Sequence, residues 1–437
     1  MKKVVSNWNN YPKIFSEISE PVSTEEIVSI VNNFDSLIAR GAGRSYGDAS
    51  LFDTILSTSK YNSILTFDPE GQSITVQAGV LLDSILKLAV PYNLFLHVVP
   101  GTKFITVGGA IASDIHGKNH VRRGSFGEYV MELTLLNEEG RIIHASREKN
   151  PSLFYSTFGA MGLTGIILTA KIKLKGIPSE QVKKNVSIYH NLKDLLNAFM
   201  QTKSEYSIAW LDYFSFNENE INSVFQTGDF AEIRGQSDPT SKRNSTPDQA
   251  AFTMPFDLPS WFMNRLFIRT FNWLYFRFIK RSKKESLVDY ESFLFPLDNI
   301  KDWNKWYGKN GFIQYQFVLP ISLSFEGIEA VLKEIQNSDH WVVLCTLKRL
   351  GKKISYSPMS FPEEGFTLAL DFKITNGIFE FLERLDHIVL KYKGKIYLAK
   401  DARMKSETFN KMYSKPEKLN SYFNSMLSYR LKIHAEK

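Results

Sequence analysis

The chain has 437 residues, 43% hydrophobic and 23% charged, and its 53 Lys and Arg against 46 Asp and Glu give a net charge of +7. This balance excludes a disordered chain, and the length predicts two or three domains at roughly 100–200 residues each. A single cysteine, Cys345, excludes intrachain disulfides, zinc sites built on several thiolates and CxxC redox chemistry, and its apolar run predicts a core position.

The basic start lacks an apolar run of about 7–15 residues, so no secretory signal is expected, and no stretch approaches ~18 apolar residues, so no spanning helix is expected. Ser23, with Glu26 three residues later, predicts a helix start, and Ile27, Ile30 and Val31 supply its apolar face. Residues 36–39 read as a short strand that runs into a glycine-rich loop. A strand follows at 74–78 and a helix at 81–88. Residues 132–136 and 141–144 flank the turn 137–140 and predict a hairpin. A helical stretch from Asn150 leads through glycines to an alternating strand. The pattern breaks at Gly176-Ile177-Pro178, which sets a boundary between residues 1–178 and a separate α+β unit at 179–394. The last segment, 395–437, is expected to return to the first domain. Within the second unit, 208–213 and 313–318 alternate as strands, and the polar stretch 226–250 is expected to be a poorly ordered loop.

Residues 261–284 carry seven Lys and Arg, no acid and eight aromatics. Two readings stay open: a segment in peripheral contact with a lipid interface, or a core helix with a solvated basic edge. Nucleic acid would also use basic and aromatic residues, but no nucleic-acid module is present, so no such partner is expected.

The loop Arg40-Gly41-Ala42-Gly43-Arg44-Ser45-Tyr46-Gly47-Asp48 follows a predicted strand. Closely spaced glycines let backbone N–H groups approach an anion, and two arginines add charge, so it reads as a phosphate cradle. It is not a dinucleotide fingerprint of the GxGxxG type: the sixth position is Tyr46, and no crossover helix follows. It is not a P-loop, lacking GK[ST]. The second loop, residues 100–120, keeps small residues at 108, 109, 110, 112 and 113, then reads His116-Gly117-Lys118-Asn119-His120. Little side-chain bulk suits a backbone lying against a flat ring or a pyrophosphate. His116 and His120 would pair on a metal only in a helix, which Gly117 argues against, and no third ligand is evident, so no metal is expected.

Together these loops resemble the FAD-linked oxidases of the vanillyl-alcohol oxidase and p-cresol methylhydroxylase type. RGAGRSYGD, VPGTKFITVGGAIASDIHGKNH, AWLDYF, IQYQFVLP and IYLAKDAR, spread over residues 40–403, further resemble the decaprenylphosphoryl-β-D-ribose 2′-oxidases, the oxidase component of an epimerase. The resemblance implies an α+β fold: a PCMH-type FAD-binding domain and a separate antiparallel-sheet substrate domain. It implies FAD contacts at Arg40, Gly41, Ala42, Gly43, Arg44, Ser45, Tyr46, Gly47 and Asp48. In the second loop it implies Gly101, Thr106, Gly108, Gly109, Ser113, His116 and Gly117, with Ile166 and Tyr397 beyond it. The first loop has no histidine where many relatives attach the flavin covalently, so the FAD is expected to be non-covalent. Lys400, Tyr46 and His116 match catalytic positions, and Gln316, Lys348, Lys118 and Trp210 match substrate-binding ones. Ala369 stands where mycobacterial-type enzymes carry cysteine.

The implied reaction oxidises the 2′-hydroxyl of a polyprenylphosphoryl pentose to a ketone. The implied partners are a lipid-linked sugar substrate, an NAD(P)H-dependent short-chain reductase and a quinone or oxygen as electron acceptor. The implied location is the cytoplasm or the periphery of the inner membrane. Two alternatives stay open: a soluble sugar, alditol or aldonolactone oxidase of the same fold, and a non-catalytic membrane-associated binding protein.

Overall fold

Ser23 starts the first helix as its spacing predicts. Its hydroxyl accepts from the backbone N–H of Glu26 at 3.2 Å, the Glu26 carboxylate reaches back to the Val22 N–H at 2.9 Å, and the helix runs Thr24–Asn33 over a buried Ile27 and Val31. The computed structural model describes residues 2–232, 252–259, 261–352, 357–415 and 419–434.

Three principal sheets carry the chain. In the first, the order is Lys2–Val5, Ile14–Ser19, Thr54–Ser57, Ile38–Arg40, with the last three strands parallel. The second runs Ile64–Asp68, Ser73–Gln77, Ile166–Gly176, Val130–Leu136, Ile142–Ser146, all antiparallel, and includes the expected hairpin. The third has eight antiparallel strands: Glu285–Asp289, Gln181–Asn191, Glu220–Phe230, Tyr206–Leu211, Val342–Leu350, Gly365–Lys373, Phe312–Pro320 and Lys395–Ile396. The mixture is an α+β fold, with the first two sheets before Gly176 and the third opening at Gln181.

Register decides which side chains of the third sheet share a face, because directly paired residues point the same way. Trp210 pairs with Thr346, Thr346 with Ala369, Ala369 with Gln316, and Lys348 with Thr367. One face therefore carries Trp210, Lys348, Thr367, Ala369 and Gln316. The other carries Ala209, Leu347, Leu368, Tyr315 and Phe317, which join a core under the helices Leu192–Gln201, Ser324–Gln336 and Ile378–Lys391. Cys345 is buried on that core face, opposite Leu370.

Two expectations change. Residues 226–230 are not loop: they complete the strand Glu220–Phe230, held between ladders on both sides, and ladder pairing overrides their polar composition. The remainder of that stretch from 233 onward lies outside the described residues. The C-terminal segment divides its allegiance. Lys395–Ile396 edges the third sheet, while Phe423 bridges Leu37 beside the first.

Residues 261–284 form neither a core helix nor a free one. Asn264 caps the helix Arg265–Arg281 by accepting from Phe267 N–H at 2.9 Å, and only Ile268, Asn272 and Phe276 are buried. No described helix is long and apolar enough to cross a membrane.

Candidate active site

The first glycine loop leaves the strand Ile38–Arg40 and is pressed between two other segments. A Cβ on Gly41 would stand 2.1 Å from Thr106 Oγ1, and one on Gly47 would stand 2.2 Å from the carbonyl of Asp401. Glycine at these positions lets the loop touch the second loop on one side and the Lys400 turn on the other. Tyr46 N–H donates to Ala399 O at 3.0 Å, which fixes the second contact. In the second loop, Thr106 caps the short helix Val107–Ala112 by accepting from Gly109 N–H at 3.2 Å. The Tyr397 hydroxyl donates to Ser113 O at 2.9 Å, so the second loop is also tied to the Lys400 turn.

Around this junction stand the side chains expected to do chemistry. Lys400 ends the turn Leu398–Lys400, and its Nζ lies 3.5 Å from the centre of the Tyr46 ring. His116 Nε2 accepts from the Gln316 amide at 3.1 Å, and the same amide donates to Thr367 Oγ1 at 3.1 Å. Phe361 and Tyr397 stack on each other at 4.6 Å and flank the imidazole. Lys348 projects from the sheet face that carries Gln316 and Trp210. Sequence reasoning therefore named six groups that share one region: Tyr46, His116, Gln316, Lys348, Trp210 and Lys400.

Electrostatics sets the region apart. Burial pushes the Lys400 ammonium down to about 7; Asp371 opposes that shift and Lys348 adds to it. Burial alone pushes Lys348 down to about 8. Burial, then Lys348, holds His116 well below its usual value, so it is a neutral imidazole. Asp371 is held up to about 6 by burial, accepting from Gln314 at 2.7 Å and the Tyr307 hydroxyl at 3.1 Å. Lys400 and Lys348 both lie deep yet keep some accessible surface. Neither forms an ion pair among the described residues.

Other expected residues have different placements. The Arg40 guanidinium is committed to the Ser6 carbonyl at 2.8 Å, Asn7 and Ser50, so it braces the first loop from behind. Arg44 stacks on Trp8 at 3.8 Å. Asp48 is buried against Arg430, at 2.9 Å, and is likewise a brace. Ile166 has its side chain in a core cluster with Leu56 and Leu168, which leaves only its backbone for a ligand. Lys118 donates to the carbonyls of Phe293 and Leu294, and burial pushes it down to about 7. Ala42, Gly43 and Ser45 leave part of the first loop's surface open, and Gly101, Gly108, Gly109 and Gly117 line the second loop.

Sequence reasoning missed Asp371, Thr367, Phe361, Gln314 and Tyr307. Thr367, Ala369 and Asp371 alternate along one strand, so the pattern was available once Ala369 was placed on the site face. Phe361 comes from a stretch without periodicity and left no signal.

Residues 16–146 match the FAD binding domain family. Over 391 residues the chain is 36% identical to the decaprenylphosphoryl-β-D-ribose oxidase of Mycolicibacterium smegmatis, covering 86% of this chain and 83% of that protein. An uncharacterised protein of Streptomyces coelicolor is 26% identical over 76% of this chain and 92% of its own length. The L-gulonolactone oxidase of Mus musculus is 23% identical over 67% and 66%.

The residues present fit a flavin dinucleotide. Gly41, Ala42 and Gly43 of the first loop and Gly108 and Gly109 of the second carry little side chain and keep part of their surface accessible. The buried Nδ1 of His116 has no hydrogen-bond partner among the described residues, and two deep lysines face the same region. Fold, loops and relatives agree: the chain is an FAD-dependent oxidoreductase and belongs to the PCMH-type flavin oxidase family that includes decaprenylphosphoryl-β-D-ribose oxidase.

Proposed function

We propose that the protein oxidises the 2′-hydroxyl of a polyprenylphosphoryl pentose to a ketone, as the first half of an epimerisation. The observation that carries this reading is the pair of deep lysines, Lys348 and Lys400, neither with an ion pair among the described residues, Asp371 being the carboxylate that acts on Lys400. Deep lysines without an ion-pair partner favour a ligand with its own negative charge, such as a phosphodiester, over a neutral sugar or lactone.

Bound FAD, held by the backbones of the two glycine loops, supplies the hydride acceptor. Lys400 stabilises the negative charge that develops on the substrate oxygen as its proton leaves, and the Tyr46 ring keeps the ammonium in place. His116, neutral and oriented by Gln316, is flanked by Phe361 and Tyr397, and its buried Nδ1–H has no partner among the described residues. Lys348 pairs with the phosphate, Trp210 packs against the lipid-bearing end of the substrate, and Lys118 acts by its field from behind. The ketone would be the substrate of an NAD(P)H-dependent short-chain reductase, and a quinone or oxygen would serve as the final electron acceptor. The protein works at the periphery of the inner membrane.

Anaerobic mixing of the holoenzyme with a short-chain polyprenylphosphoryl ribose in detergent tests the reading. Bleaching of the flavin and a product two mass units lighter, about the loss of two hydrogens, is expected. Bleaching by an aldonolactone or alditol, with none by the lipid-linked sugar, would replace this reading with the soluble-substrate one.

A further inference from the structure

The helix Arg265–Arg281 carries two apolar stripes, and only one is used by the fold. Ile268, Asn272 and Phe276 pack inward. Asn272 donates to Asp212 at 3.1 Å, and Phe276 meets the His190 ring at 5.8 Å. A second stripe, Phe267, Phe271, Leu274 and Phe278, repeats at i, i+4, i+7 and i+11 and is exposed, with Phe278 70% accessible. Leu266 and Trp273, 74% and 51% accessible, widen it around the helix. Six large apolar side chains on one exposed arc are far more than solitary surface residues, and such patches mark contact sites.

Charge selects the occupant. The helix has Arg265, Arg269, Arg277, Lys280 and Arg281 and no acidic residue. None of these five cations forms an ion pair among the described residues. By helical geometry Arg277 and Arg281 lie between Leu266 and Trp273 on one side and the Phe267 stripe on the other. The Arg277 guanidinium lies over the Trp273 ring, 4.6 Å from its centre, a cation–π contact that keeps the charge at the apolar arc. Apolar rings interleaved with unpaired cations complement an interface of acyl chains and anionic headgroups.

We infer that the outer arc of the helix Arg265–Arg281 docks on an anionic lipid surface. Its inner side leads to the site. Tyr275 meets the Trp210 ring at 4.9 Å, and Trp210 shares its sheet face with Lys348 and Gln316. Phe271 stacks on Tyr275 at 6.4 Å, which continues the row of rings toward the exposed arc. The docked helix thus sets the Trp210 side of the pocket at the membrane. The lipid contact stands on the helix itself; its use in receiving a lipid-linked sugar rests on the proposed function.

Co-sedimentation of the FAD-loaded protein tests this, with vesicles of phosphatidylcholine alone or mixed with phosphatidylglycerol. The wild type is expected to bind the anionic vesicles and to leave them at high salt. R277S/R281S should weaken binding roughly 30-fold, about fivefold per arginine, and L266S/W273S/F278S should abolish it. Unchanged flavin content shows that these surface variants remain folded. Equal binding to neutral vesicles, no binding at all, or undiminished binding by either variant would overturn the inference. So would a wild-type dimer that the triple variant dissolves without any vesicle binding, since a second copy would then cover the arc. No sugar is present in this assay, so a failure here is distinguishable from a failure of flavin reduction by the lipid-linked substrate.

Discussion

The Nζ of Lys400 stands 3.5 Å from the centre of the Tyr46 ring, and Tyr46 N–H donates to the carbonyl of Ala399, one residue before that lysine. The first glycine loop and the lysine turn, more than 350 residues apart in sequence, are therefore one unit. The ring faces the ammonium while the backbone fixes the turn. Lys400→Met keeps an unbranched side chain one atom shorter and removes the charge. Flavin reduction by substrate is expected to slow about 10²–10³-fold, the range for losing one donor to a developing oxyanion. FAD content should be unchanged, and stopped-flow absorbance reads both. Tyr46→Phe, which retains the ring, should cost far less than Tyr46→Ala. Wild-type reduction rates in Lys400→Met would remove the lysine from the chemistry.

The pH profile should report the same lysine. In the free enzyme Lys400 is pushed down to about 7, chiefly by burial, and Asp371 keeps it from falling further. If the cation is the working form, kcat/KM falls as pH rises through about 7. Asp371→Asn removes the group that raises the lysine, so the falling limb should move to lower pH. A limb that stays in place or moves up would break the coupling of the two residues. Folding stability follows the opposite slope. The unfolded chain holds protons on Lys400 and Lys348 that the native state releases, so their cost to stability shrinks between about pH 7 and pH 10.

The site was legible in sequence where its residues sit in motifs and illegible where they meet only through the sheet. Lys400, Tyr46 and His116 stand in short segments with recognisable order. Gln316, Lys348 and Trp210 are on three different strands, and only the pairing Trp210–Thr346–Ala369–Gln316 shows that they share a face. Asp371 carried no signal in the sequence; the Tyr307 and Gln314 contacts that bury it come from a turn and another strand. Arg40 and Asp48 show a different limit. They stand in a phosphate-loop motif, and only the fold shows that their side-chain charges are spent on the Ser6 carbonyl and on Arg430, which leaves their backbone for a ligand. The hairpin at 130–146 was easier, since local alternation and a turn suffice to define it.

The face assignment has a chemical consequence. Ala369 lies on the site face and Cys345 on the core face, where burial pushes its thiol up. The folded wild type is expected to resist maleimide. Ala369→Cys should gain one reactive thiol, and bound substrate should protect it. Mass spectrometry of the intact protein counts the adducts. A modified Cys345, or an inert Cys at 369, would contradict the register drawn here.

The first loop, residues 40–48, contains no histidine. The flavin is therefore expected to leave with the supernatant when the holoenzyme is precipitated with acid. Flavin retained in the pellet would mean attachment through a different side chain. Reconstitution of the stripped protein with FAD should restore its visible bands.

Arg430 joins the two halves of the site. Its guanidinium meets Asp48 at 2.9 Å and Asp401 at 2.9 Å, and both carboxylates are almost wholly buried. Asp48 closes the first glycine loop and Asp401 follows Lys400, so one cation from the C-terminal helix Met426–Arg430 clamps both halves of the site. Arg430→Met leaves two buried carboxylates facing each other. Removing one partner of a buried ion pair costs about 3–5 kcal/mol, and here the repulsion between Asp48 and Asp401 adds to it. Chemical denaturation should show that loss at neutral pH. The penalty should shrink in acid, as Asp48, left without a cation while Asp401 keeps Arg403 at 3.8 Å, takes up a proton and the repulsion disappears. FAD affinity should fall as well, because both loops lose their common support. Asp48→Asn combined with Arg430→Met should recover part of the stability, since one of the two opposed charges is gone. A double variant no more stable than Arg430→Met alone would show that the arginine acts through packing and not through charge.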